Sequence, residues 1–72
     1  MKHTTPTLEQ IVGGNLKREI KKSVWKTQAK FAEAFGADVR TIGRWCNEGI
    51  GQLPLIQQLA DFLDIDVYTL LS

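Results

Sequence analysis

Nine lysines and arginines supply most of the chemistry open to this chain of 72 residues, because the clusters that catalysis and metal binding need are missing. Cys46 is the single cysteine and His3 the single histidine, so one chain closes no disulfide and no Cys/His cluster reaches the four ligands of a structural zinc site. No nucleophile–base pair or phosphate-binding loop stands in the sequence, and 72 residues enclose no proper pocket. An enzyme, a cofactor, a metal and a small-molecule ligand are therefore not expected. Cys46 reads as a reduced thiol, since nothing beside it in sequence lowers its pKa.

What remains is charge. Lys2, Lys17, Arg18, Lys21, Lys22, Lys26, Lys30, Arg40 and Arg44 all lie in residues 1–45, against Glu9, Glu19, Glu33 and Asp38, a net of +5. Residues 46–72 hold Glu48, Asp61, Asp64 and Asp66 with no Lys or Arg, a net of −4. A chain so divided suits a polyanion on one face and repels it from another. An unevenly charged, merely solvated helical surface accounts for the same numbers equally well.

The elements that position these charges read as helices. Apolar residues never occur more than two in a row, which excludes a transmembrane helix and the apolar stretch of a signal peptide, so a soluble cytoplasmic protein is expected. Residues 1–6 read as a disordered tail and residues 7–72 as one small domain, which must bury a well-patterned core or rely on a partner subunit. Thr7 with Gln10 forms a capping-box pattern, and Leu8, Val12, Leu16 and Ile20 draw an apolar stripe to about Ser23. Gly13-Gly14 weakens that helix by about 1 kcal/mol per glycine, so a start near Asn15 is an open alternative. Thr27 caps a second helix with Phe31, Ala32 and Phe35 inward and Gly36 at its end, and Asp38 caps a third with Ile42 and Trp45 inward. Gly49 and Gly51 end the third. Pro54 opens a fourth, with Leu53, Ile56, Leu59, Ala60 and Leu63 buried, and Asp66 precedes a fifth with Val67, Leu70 and Leu71 inward. The fold class is all-α: a compact bundle of about five short helices.

Two short helices joined at a glycine, the second bearing outward arginines, follow the plan of a helix-turn-helix. Gln28, Ala32, Gly36, Ile42 and Trp45, continued through Leu53, Ile56, Leu59-Ala60, Leu63, Ile65-Asp66 and Leu70-Leu71, resemble the Cro/C1-type (Xre-like) repressor family over roughly residues 15–71. The resemblance implies a lambda-repressor-like DNA-binding domain. Ala32 would be small where the helices cross, Gly36 would permit the left-handed turn, and Ile42 and Trp45 would pin the recognition helix to the core. Lys26 stands where the family has an apolar residue, leaving Trp25 to supply that packing at the junction of the first two helices. Asp38 stands where serine is commoner, and Lys21 and Cys46 replace an Arg–Glu pair.

By the same resemblance, Val39, Arg40, Thr41 and Arg44 read base edges in the major groove, the arginines on guanine O6 and N7 and Val39 on a thymine methyl. Inward packing of Val39, three residues before Ile42, competes with that role. Lys26, Thr27, Gln28, Lys30 and Asn47 contact the DNA backbone, with Gln28 as a clamp at the positive end of its helix. The function implied is a sequence-specific double-stranded DNA-binding transcriptional regulator, a Cro-like repressor binding a palindromic operator as a homodimer. The acidic, leucine-rich C-terminal part, around the fourth helix and residues 67–71, is the expected dimer surface. The alternative is a helical protein-interaction module, such as an antitoxin or adaptor, for which Gln28, Arg40 and Arg44 would have no reason to stand together.

Overall fold

Thr7 and Gln10 close a reciprocal pair of hydrogen bonds at the head of the first helix in the computed structural model, which describes residues 6–72. The Thr7 N–H donates to Gln10 Oε1 at 3.0 Å and the Gln10 N–H donates to Thr7 Oγ1 at 3.2 Å. This box starts α1 at Leu8, and the helix runs unbroken to Lys22. A start near Asn15 is thereby corrected, and the reason is tertiary. Gly13 lies where α1 crosses a later backbone: a Cβ there would collide with the Trp45 carbonyl oxygen and stand 3.0 Å from that of Cys46. The lost helix propensity is exchanged for a close crossing that only glycine permits. Of the tail expected over residues 1–6, all but exposed Pro6 lies outside the described residues.

The remaining elements are α2 (Gln28–Phe35), α3 (Val39–Glu48), α4 (Leu53–Leu63) and α5 (Val67–Leu71), with no strand among the described residues. Thr27, Asp38 and Asp66 each accept a backbone N–H of the following first turn, and Gly36 ends α2 in the left-handed conformation at φ 87°. Each cap satisfies a donor that the helix itself leaves open. Helix α4 lacks a side-chain cap and starts instead with Pro54 in its first turn.

Helix α1 packs along α3 and α5, α2 lies against α3, and α4 lies against α5. The core between them holds Val12, Leu16, Ile20, Phe31, Ile42, Leu59 and Leu70, all fully buried, together with Ala32, Cys46, Ile50, Ile56 and Ala60. Two expected core positions are corrected, and Phe35, Trp45, Leu63, Val67 and Leu71 pack against the core partly buried. Leu8 is 60% exposed and Leu53 68% exposed, each at the first residue of its helix and at the rim of one shallow groove rather than in the core. Trp45 is half-buried, and Cys46 rather than Trp45 pairs with Ile42 as the buried rung of α3. The helix is rotated so that the α1 crossing meets residues 42 and 46, four apart, and the indole leans against the edge of Phe35 with ring centroids 6.3 Å apart.

Two polar side chains lie in the core stripe of α1. Asn15 Nδ2 donates to the Leu70 carbonyl at 2.8 Å, joining α1 to α5. Glu19 meets Arg18 Nε at 3.3 Å and Lys22 Nζ at 3.6 Å. Sequence spacing carried a signal for both, since 12, 15, 16 and 19 fall on one helical face. Among the described residues no helix is long and apolar enough to cross a membrane.

Candidate nucleic-acid interface

The segment before α2 is bent by one residue. Lys26 has φ 71°, and the Thr27 N–H donates to the Trp25 carbonyl at 2.8 Å, a three-residue turn of the strained kind. Trp25 holds the bend in place, stacking on Phe62 at 5.1 Å and meeting Phe31 edge-on at 5.4 Å. Its packing therefore reaches beyond the junction of α1 and α2 to α4. Spacing three residues after Leu59 places Phe62 beside the buried face of α4, and only the crossing of the helices brings it against Trp25.

The turn delivers Thr27 to the head of α2, where Thr27 Oγ1 accepts the Lys30 N–H at 3.2 Å. The hydroxyl donates no hydrogen bond among the described residues. The N–H groups of Gln28 and Ala29 have no partner among the described residues, so the first turn of α2 presents open donors and the positive end of a helix. Lys26 and Lys30 are exposed close to this turn in sequence.

On α3, Arg40, Arg44 and Asn47 are exposed at spacings of four and three, one stripe down the outer face. Val39 is 45% exposed, which removes inward packing as its role, whereas Thr41 is half-buried and offers less of itself to a partner. Asp38 spends one carboxylate oxygen on the Arg40 N–H at 3.0 Å. Lys26, Lys30, Arg40 and Arg44 form no ion pair among the described residues, where the pairs are those of Glu19. Arg44 also borders a shallow groove with Trp45, Glu48 and the loop at residues 49–52.

Gln28 joins α2 to α3 on this face, as Phe35 and Trp45 do elsewhere along the pair. Gln28 Oε1 lies 3.5 Å from where a Cβ on Gly43 would stand, so the amide reaches from the first turn of α2 to α3, at the residue that follows Arg40 by three and precedes Arg44 by one. Sequence spacing gave no sign of this contact, which spans fifteen residues and depends on the crossing of two helices. The Gln28 amide makes no hydrogen bond among the described residues, leaving one acceptor and two donor hydrogens for a partner. No side-chain hydrogen bond or ion pair among the described residues ties Lys26 or Lys30 to α3. Comparison of the chain with protein-family models, curated proteins and solved structures finds no match.

Proposed function

We propose that this chain is a sequence-specific double-stranded DNA-binding regulator in which α2 and α3 act as a helix-turn-helix of the Cro/C1 kind. The observation that carries the reading is the Gln28 amide, without a hydrogen bond among the described residues, lying beside Gly43 on the helix that exposes Arg40 and Arg44. Arginines without ion-pair partners, the open N–H groups of α2 and the Thr27 hydroxyl are the donors that phosphates and guanine edges accept. In this reading Arg40, Arg44 and Val39 face the major groove, with Thr41 at its margin, and Lys26, Thr27, Gln28, Lys30 and Asn47 hold the backbone. A single unit makes few contacts, so the regulator acts as a homodimer on a palindromic site, without a cofactor.

Selection of bound duplexes from a random pool tests this directly, and a two-fold symmetric motif is the expected result. A dimer that neutralises about six to eight phosphates gives a log–log slope of affinity against salt of about −5 to −7. A slope near zero removes the reading.

One feature favours a second reading, a helical protein-interaction module. Leu8 and Leu53 stand exposed beside a shallow apolar groove floored by Val12, Ile50 and Ile56 and edged by Leu71. Exposed apolar side chains gathered in this way mark protein contacts. Loss of duplex binding with retention of a protein partner decides for it.

A further inference from the structure

Glycine inside a helix costs about 1 kcal/mol relative to alanine, so each of Gly13, Gly14 and Gly43 calls for a reason. Gly13 has one within the fold, the backbone crossing already described. Gly43 has none there. It has no positive φ, and the only atom near an added Cβ is Gln28 Oε1 at 3.5 Å, an ordinary contact that a methyl group tolerates. Gly14 is equally open, with nothing within 4 Å, but it lies on α1 outside the α3 stripe.

The position of Gly43 supplies the reason. It follows Arg40 by three residues and precedes Arg44 by one, and the Gln28 amide oxygen lies beside it, with no hydrogen bond to that amide among the described residues. A missing side chain there lowers the surface of α3 beside a polar wall. Resting on the DNA reading above, we propose that Gly43 is where a DNA strand comes closest to the protein: the gap admits the sugar–phosphate chain to the backbone of α3, and the Gln28 amide turns over so that Nε2, in place of the Oε1 that now faces Gly43, donates to the phosphate so admitted. Helix stability is given up for that approach, and the contact carries no base information.

Gly43→Ala and Gly14→Ala form the test, read by thermal melting and by titration with a selected duplex and a scrambled one at fixed salt. Both variants melt about 4–8 °C higher than the parent, the gain expected when alanine replaces glycine in a helix of so small a domain. Only Gly43→Ala weakens binding, by about tenfold, the low end of what an overpacked contact costs, and equally on both duplexes. Gly14→Ala binds as the parent does. Unchanged binding by Gly43→Ala, a loss confined to the selected duplex, or a lowered melting temperature overturns the inference. Arg44→Ala separates the two ideas: if it loses binding while Gly43→Ala does not, the close approach fails and the DNA reading stands. A parent chain that binds neither duplex sinks both.

Discussion

The side-chain amide of Asn15 donates to the carbonyl oxygen of Leu70 at 2.8 Å, a buried hydrogen bond between residues 55 apart in the chain. It ties the five-residue α5 to α1, and so short a helix has little stability of its own. Asn15→Ala leaves that carbonyl buried without a partner, an expected loss of about 1–3 kcal/mol in urea denaturation. A parent-like midpoint would show that α5 is held by its apolar contacts alone.

Adjacent glycines respond in opposite directions. Gly13→Ala drives a methyl into the Trp45 carbonyl and lowers the melting temperature despite the better helix former. Gly14→Ala meets nothing within 4 Å and gains about 1 kcal/mol. Thermal melts of the two single variants check the pair, and a gain in both would place the α1–α3 crossing elsewhere.

Phe31 is fully buried and touches the rings of Trp25, Phe35 and Phe62. Phe31→Ala is expected to cost about 3–5 kcal/mol, which can exceed the stability of a small domain. Half-buried Trp45 leaves a smaller cavity when truncated, so Trp45→Ala keeps a cooperative melt and loses less. The reverse order would put Trp45 at the centre of the core.

Burial pushes the Cys46 thiol above its ordinary value of 9.0, with the Lys17 ammonium opposing part of that shift. The folded chain therefore holds the thiol proton more tightly than the unfolded one. Stability from this group is whole below pH 9.0 and falls as pH rises through the folded value. Unfolding free energy measured from pH 8 to 11 should decline more steeply in the parent than in Cys46→Ala, and parallel curves would count against a buried thiol.

Reading and holding DNA separate at Arg44 and Gln28. Arg44→Ala is expected to cost about 1–3 kcal/mol on a selected duplex and much less on a scrambled one, relaxing the choice at one base pair of each half-site. Gln28→Ala lowers both affinities together and leaves the preferred sequence unchanged. Equal losses on both duplexes for Arg44→Ala would make it a phosphate contact and leave Arg40 as the reader.

The ends of the helices were legible because their causes are local. Thr7 with Gln10, Thr27, Asp38 and Asp66 each bond within two or three residues, and Gly36 adopts its left-handed turn at the position its type marks. The periodicity of Val12, Leu16 and Ile20 likewise placed one face of α1 in the core before any neighbour was known. The outward arginines of α3 follow from the same count, whereas Val39, three residues before Ile42 and seven before Cys46, falls on the inward side by that count and is nonetheless 45% exposed. Tertiary structure alone decided where backbones meet. It set Gly13 against Trp45, left Leu8 and Leu53 uncovered at their helix ends, buried Cys46 more deeply than Trp45, and brought Gln28 beside Gly43. Each of these depends on the distance and rotation between two helices, quantities that the pattern along one helix does not contain.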